Sequence, residues 1–250
     1  MTVAESLQER LGRAYNIKYP GEKLPPAPVL RPDAVSTSRN DDVARLLRDE
    51  KGRVLEIGCN TGSLSEALAG RFEHITGIDI SSTAVEAAKR RAQSKPELRE
   101  KLDFHVASAD QPLPFADKSF DVVLGIAVLE HLVFIYEALD EWRRVCKPNG
   151  CLILCVPNLA YVKHVVDLVR GRQPMTGSPS RDAEYCREHG WDGHHLHYFT
   201  KSSLTSLLRH VGFEPEEWTG DGAYAKYRRW YINFVGNLTV RARRVEDRKS

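Results

Sequence analysis

The sequence predicts an α/β protein, a sheet of parallel strands joined by crossover helices, and three observations carry that expectation. Apolar runs of strand length alternate with stretches of helical periodicity, the pattern of strand and crossover. The first run, Arg53-Val54-Leu55-Glu56-Ile57, passes directly into Gly58-Cys59-Asn60-Thr61-Gly62-Ser63, a glycine-bearing turn that opens a helix. The second run ends Gly77-Ile78-Asp79-Ile80, so that two consecutive strands each present an acid at one end of a nucleotide-binding sheet.

Each element has its own local reason. Strands are expected near 53–57, 74–79, 103–107, 120–128 and 150–156, where the runs are rich in Val, Ile, Leu and Phe. A helix over 63–69 follows the glycine turn, and Ser81 or Ser82 caps the next, through Ala84, Val85, Ala87 and Ala88. The stretch 136–145 is amphipathic and stops before Lys147-Pro148-Asn149-Gly150, a strong turn signal. Later, Thr200 or Ser202 caps a helix through Leu204, Leu207 and Leu208, which Gly212 ends.

At 250 residues the chain most simply makes one α/β domain with additions. Its formal net charge of +2 designates no partner, but residues 222–250 hold eight Lys or Arg against two Asp or Glu. Such a stretch is either a solvated face or a surface for anionic lipid, nucleic acid or a negatively charged substrate. No apolar run approaches the ~20 residues of a membrane span. The first 13 residues are polar with both charge signs, unlike a signal peptide. The five cysteines, Cys59, Cys146, Cys151, Cys155 and Cys186, are odd in number and three of them fall in or beside expected core strands, which fits reduced thiols and a cytoplasmic chain. Cys151 and Cys155 lack the CxxC spacing of a metal site.

The first acid selects the ligand. Glu56 beside the turn would repel a pyrophosphate but attract the ammonium and sulfonium of S-adenosylmethionine. At this point the chain resembles the class I S-adenosylmethionine-dependent methyltransferases, small-molecule branch. The resemblance implies a Rossmann-like, seven-stranded, mostly parallel sheet with helices on both faces, whose last two strands fall near 213–218 and 230–234, the final one antiparallel. It divides the chain into an N-terminal lid extension (1–48), a catalytic domain (49–236) with a substrate insert (158–197) after the fifth strand, and a basic tail (237–250).

Gly58 and Gly62 let the turn pass close to a ligand, and the backbone N–H groups near Ser63 and Leu64 can meet the methionine carboxylate. The family pattern is acid-x-Gly-x-Gly-x-Gly, and the middle glycine here is Asn60, a residue that tolerates left-handed backbone angles. Asp79 would accept the ribose hydroxyls in charge-assisted bonds. Ile80 would lie on the adenine or simply in the core. Ala107-Ser108-Ala109-Asp110 resembles the third-strand loop in which an Asp accepts from the adenine amino group, with a helix cap or loop acid as the plain reading of Asp110. Ile126, at the end of the fourth strand, completes the expected cofactor wall.

For the chemistry, Gly125-Ile126-Ala127-Val128-Leu129-Glu130-His131-Leu132 resembles the Leu-Glu-His segment of O-methyltransferases, including those of quinone biosynthesis. His131 is the first candidate general base, or a structural hydrogen bond at the strand end; Glu130 would orient it or bind substrate. The second cluster, His189-Gly190-Trp191-Asp192-Gly193-His194-His195-Leu196-His197-Tyr198-Phe199-Thr200, resembles a bacterial group linked to sugars, lipids and glycans, where Asp192, His195 and His197 match best. His195 and His197 are therefore further catalytic candidates, with Asp192, His194, Tyr161 and Tyr19 for substrate. Tyr15, His164 and Arg170 join the two lid segments. The histidines would bind substrate or brace the loop, with a divalent metal as the lesser option, and no metal is expected.

The resemblance thus implies O-methylation of a hydroxyl on a small, sugar or lipid-linked metabolite. The alternatives are a non-catalytic cofactor-binding scaffold and N-methylation of a small molecule. Nucleic acid is not expected as a partner, because no Asn or Asp-Pro-Pro-Tyr segment follows the fourth strand and no RNA-binding module is visible.

Overall fold

Strands β1 (Arg53–Ile57), β2 (His74–Asp79), β3 (Leu102–Val106), β4 (Phe120–Ile126), β5 (Cys146–Pro157), β6 (Phe213–Thr219) and β7 (Asn237–Arg244) form one sheet in the order β3-β2-β1-β4-β5-β7-β6. The structure is a computed structural model and describes residues 12–13, 15–16, 24–32 and 38–246. Neighbours from β3 to β5 are parallel, whereas β7 runs antiparallel to both β5 and β6. This is the seven-stranded, mostly parallel architecture that the resemblance implied.

The alternation of side chains along buried strands builds two cores, one on each face. Leu55, Ile57, Val123, Leu152 and Leu154 point to one side and meet Ala138, Leu139, Trp142 and Val145 of α5 (Ile135–Val145) and Leu204 and Leu208 of α8 (Lys201–His210). Val54, Val122, Leu124, Cys151 and Ile153 point to the other. There they meet Val43, Leu46 and Leu47 of α1 (Arg39–Leu47), Leu64 and Leu68 of α2 (Ser63–Leu68) and Val85 and Ala88 of α3 (Ser82–Gln93). Each large side chain buried this way contributes ~1.5–3 kcal/mol, so the interleaved pattern fixes the sheet register. A short α4 (Pro96–Arg99) leads into β3.

Caps fall where hydroxyls allow them. Ser81 Oγ accepts from the Ala84 N–H at 3.1 Å, and Thr200 and Ser203 form a reciprocal box at the start of α8. The Lys147–Gly150 turn lies inside β5 as a bulge: Cys146 pairs with Phe120 and Cys151 with Val122, and Asn149 takes φ 58° between them. β4 ends at Ile126, earlier than the sequence suggested, because Ala127 turns to φ 57° and Leu129–His131 coils into a 3₁₀ turn.

The expected last strand and basic tail require correction. Residues 230–234 are no strand, Ile232–Phe234 being a 3₁₀ turn, and the stretch expected to trail away supplies β7 instead. Leu238, Val240 and Ala242 are fully buried on one face. Arg241 and Arg243 on the other pair with Glu50 and Glu216, and the Arg244 guanidinium donates to the carbonyls of Arg143 and Cys146. The arginines read as a solvated tail because their acidic partners are far away in sequence.

After β5 the chain makes α6 (Val162–Val169), α7 (Ala183–His189) and a 3₁₀ turn, Trp191–His194. Its ends are tied: Asn158 bridges Phe199, and the Leu159 N–H donates to the Phe199 carbonyl at 2.8 Å. All five cysteines are buried thiols, and burial pushes Cys146, Cys151 and Cys155 up to about 12, far from reactivity. Among the described residues no helix is long and apolar enough to cross a membrane.

Candidate active site

The carboxyl ends of β1, β2 and β4 open on a cavity of about 390 Å³. Glu56, Gly58, Asn60, Asp79, Ile80, Ala109, Asp110 and Ile126 all line it, together with Ser63 and Leu64 at the start of α2. Gly58 has φ 74°, and a Cβ there would fall 2.3 Å from Val128 Cγ2, so only hydrogen fits. Asn60 takes φ 48°, the left-handed angle expected of a residue in a glycine position. Gly62 is not a lining residue. It begins α2 at φ 71°, and a Cβ would fall 2.8 Å from the Phe104 ring, so its role is packing and turn geometry.

Two acids define the electrostatics. Glu56 is 4% exposed and accepts a hydrogen bond from the Ser65 hydroxyl, and burial pushes its carboxyl up to about 7. Asp79 accepts the Ser81 N–H on Oδ1 and the Asn60 N–H on Oδ2, both at 2.9 Å; burial nevertheless raises its pKa. Asp79 therefore braces the glycine turn as well as facing the cavity. Asp110 takes a 2.7 Å bond from Ser108 Oγ, and Trp142 Nε1–H anchors the same loop through the Ala109 carbonyl at 3.1 Å.

These residues fit S-adenosylmethionine and not a dinucleotide. The buried carboxyl of Glu56 beside the turn welcomes positive charge and opposes a diphosphate, Asp79 at the end of β2 suits ribose hydroxyls, and the first turn of α2 offers N–H groups to a carboxylate.

At the outer wall stands His131, on the 3₁₀ turn after β4. Its Nδ1 lies 3.1 Å from the His194 carbonyl oxygen, which can only accept, so Nδ1 carries a proton and, in the neutral ring, Nε2 the lone pair. His195 is oriented in the same sense. Thr176 Oγ1 donates to Asp192 Oδ2 at 2.8 Å and accepts from His195 Nδ1 at 2.7 Å. The two imidazoles meet edge to face with centroids 4.7 Å apart. Tyr15 lines the cavity and approaches His131 edge-on at 6.4 Å between centroids.

Glu130 is 1% exposed, and among the described residues its Oε2 has no hydrogen-bond partner. Burial pushes this carboxyl up to about 7, against the opposing pull of Arg39 at the start of α1. Its main-chain oxygen accepts the Leu196 and His197 N–H groups at 2.7 and 3.2 Å, stitching the insert to the β4 turn. Ligand atoms of Glu130, His131 and His195 all lie within 4.8 Å of one another, a spacing a divalent cation can bridge.

Other expected site residues stand apart. Asp192 is fully buried and receives the N–H groups of Thr176, Gly177 and Ser178 at 3.0, 2.8 and 3.1 Å. Burial raises its pKa, but these bonds outweigh that and hold it below the ordinary range, as a brace and not a substrate contact. His194 contributes its carbonyl, while its exposed ring packs over Gly190. The ring of His197 lies beside Phe199, with Nε2 buried and unpartnered among the described residues. Tyr161 is 7% exposed, packs on His164 and Tyr224, and does not line the cavity. Tyr19 lies outside the described residues.

Sequence reasoning missed Arg39 and Asn40, which line the cavity, and Thr176, which orients His195. The helix-start pattern around Asp41 and Asp42 marks α1 but carries no sign that its first turn reaches the site.

Comparison with known proteins places this geometry. A family model described as "Methyltransferase domain" matches residues 55–154. Among curated relatives, a ubiquinone biosynthesis O-methyltransferase of Aromatoleum aromaticum is 30% identical over 62% of this chain and 70% of its own length. The mitochondrial enzyme of that name from Rattus norvegicus is 25% identical over 87% of this chain, which spans only 60% of the rat protein. The solved structure of the cyclase SpnF shares the fold, with a TM-score of 0.66 at 20% identity, covering 98% of this chain and 99% of that one. The two strand-end acids, the glycine turn between them and the matched sequence together place this chain in the class I S-adenosylmethionine-dependent methyltransferase family.

Proposed function

We propose that the chain methylates a hydroxyl group of a small, sugar or lipid-linked acceptor, with His131 as general base and His195 beside it. The observation that supports this most directly is the bond from His131 Nδ1 to the His194 carbonyl, which in the neutral ring leaves Nε2 as the basic atom of a residue that lines the cavity. The relatives' names, which specify O-methylation, agree with an oxygen acceptor.

When bound, S-adenosylmethionine supplies a methyl group already activated by its sulfonium. The chain's own residues hold and orient. Glu56 and Asp79 would fix the donor's amino acid and ribose ends, Asp110 its adenine, and the N–H groups of Ser63 and Leu64 its carboxylate. Orientation of this kind can supply ~7–11 kcal/mol of the barrier, and a positioned base a further ~10²–10⁴-fold. His131 Nε2 would take the acceptor's proton, and the His194 carbonyl would steady the resulting imidazolium through Nδ1–H.

The test is transfer of labelled methyl to a panel of phenols, hydroxylated sugars and polyprenyl-linked acceptors. Labelled ether product that His131→Ala reduces by ~10²-fold or more, at unchanged donor affinity, supports the reading. Tight donor binding with no labelled product on any acceptor overturns it in favour of a donor-binding scaffold, and labelled amine in place of ether overturns the oxygen assignment.

A further inference from the structure

Helix α6 is apolar yet buries nothing. No residue of Val162–Val169 is buried, and Val165, Val166, Leu168 and Val169 are 44, 41, 56 and 84% exposed. Beside it lies a second uncovered patch, with Trp230 84% and Tyr231 55% exposed. The two segments meet at their near ends: the Tyr161 and Tyr224 ring centroids are 6.3 Å apart, and Lys163 Nζ sits 5.5 Å above the Tyr224 ring. Exposed apolar side chains clustered in this way mark an interaction site.

Charge selects the occupant. Exposed Lys163, Arg170 and Arg172 flank the valines, and exposed Lys226 and Arg229 flank the aromatic patch. The one acid within 161–172 and 224–231, Asp167, is paired with Arg181. Aliphatic side chains on a short helix, Trp and Tyr, and flanking cations in segments whose one acid is already paired make up the composition of an interfacial element on an anionic bilayer. An eight-residue helix reaches only ~12 Å, too short to span, so it would lie in the plane of the headgroups.

Position adds a reason. α6 follows the carboxyl end of β5, and the aromatic patch precedes β7, whose first residue pairs with the last of β5, Pro157 with Asn237. Both are therefore attached at the carboxyl end of β5, the same end of the sheet on which the cavity opens.

We propose that the surface formed by α6 and residues 224–231 docks peripherally on an anionic lipid bilayer. This needs no donor or acceptor, so its failure leaves the methyl-transfer reading intact, and the reverse holds too. Sedimentation of the whole chain with vesicles of phosphatidylcholine alone, or with about one quarter phosphatidylglycerol, reads it directly. We expect binding at least ~10-fold stronger to the anionic vesicles, and weaker as salt rises. Val166→Asp with Val169→Asp, and separately Trp230→Ala, should each lower it ~10-fold or more without moving the melting temperature. Lys163→Ala with Arg229→Ala should flatten the salt dependence. Equal binding to neutral and anionic vesicles, binding that survives both the valine and the tryptophan variants, or a dimer in light scattering that the valine variant dissociates while vesicles go unbound would each overturn it.

Discussion

His131 and His195 stand edge to face, their ring centroids 4.7 Å apart and their planes at 72°. Two imidazoles this close do not both carry a positive charge cheaply, since charging one raises the cost of charging the other. His131 lines the cavity and is held by a carbonyl; His195 is held through Thr176 to an ionised Asp192. The expected consequence is a division of labour. His131→Ala should lower kcat by ~10²–10⁴-fold and leave donor affinity within about twofold. His195→Ala should cost ~10-fold or less. Steady-state kinetics with donor titration calorimetry checks both, and equal losses in the two variants would move the base to His195.

Thr176 acts at one remove, through His195. Thr176→Val keeps the shape but removes both the acceptor for His195 Nδ1 and one of the donors to Asp192. Turnover should fall about tenfold with unchanged donor affinity, and Thr176→Ser should restore it. Asp192→Ala is different in kind. It strands the main-chain N–H groups of Thr176, Gly177 and Ser178 and unties them from a turn in which Asp192 and His194 already take φ 51° and 66°, so it should destabilise the fold by ~2–4 kcal/mol. Denaturant titration separates the two outcomes.

Glu130, His131 and His195 also pose a question of metal, because their ligand atoms lie within 4.8 Å of one another. A base at His131 Nε2 and a cation on the same atom exclude each other. With His131 as base, protein dialysed against a chelator should retain full turnover, and added Zn²⁺ should inhibit by occupying carboxylate and imidazole together. Turnover lost on chelation and regained with a divalent cation would make His131 a ligand.

Donor affinity should depend on pH through Glu56. Burial pushes its carboxyl up to about 7, so below that pH the cavity holds a neutral acid, and a bound cation must expel the proton. The association constant should therefore rise about tenfold per pH unit approaching pH 7 and level off above it. Glu56→Gln should bind at least tenfold more weakly at pH 8 and lose the slope. Calorimetry in two buffers of different ionisation enthalpy counts the released proton. Asp79→Ala should also weaken binding at least tenfold, partly because Asn60 and Ser81 lose the carboxylate that braces their N–H groups.

The strand-end acids and the glycine turn of the candidate site were legible because their placement is local: Glu56 and Asp79 stand at strand ends beside the turn, and Gly58 and Asn60 take the left-handed angles their identities suggest. Gly62 illustrates the limit, since a glycine needed for packing against Phe104 looks the same in sequence as one needed for a ligand. What was not legible is made by closure over long separations. β7 reads as a tail because Glu50 and Glu216, which neutralise Arg241 and Arg243, are supplied by remote segments. The Asp192, Thr176 and His195 chain spans a loop with no periodicity to announce it.

The buried carboxyl of Glu130 gives the last prediction, on stability. Its pKa rises from 4.5 to about 7 on folding, because burial removes water from a group whose Oε2 finds no partner among the described residues. The folded state thus prefers the protonated acid. The sign follows: this group's contribution is fully present below pH 4.5 and is lost as pH rises through about 7. The shift corresponds to about 3 kcal/mol between those limits, an order-of-magnitude figure for a single buried group. Glu130→Gln cannot ionise, so its unfolding free energy should fall less steeply than that of the unaltered protein between pH 5 and pH 8. Near pH 5 the two proteins should be close, and near pH 8 the variant should be the more stable. Urea titrations of both proteins across that range give the difference directly, and parallel pH profiles would show that the carboxyl is already charged in the folded chain, with a counter-ion or water satisfying Oε2.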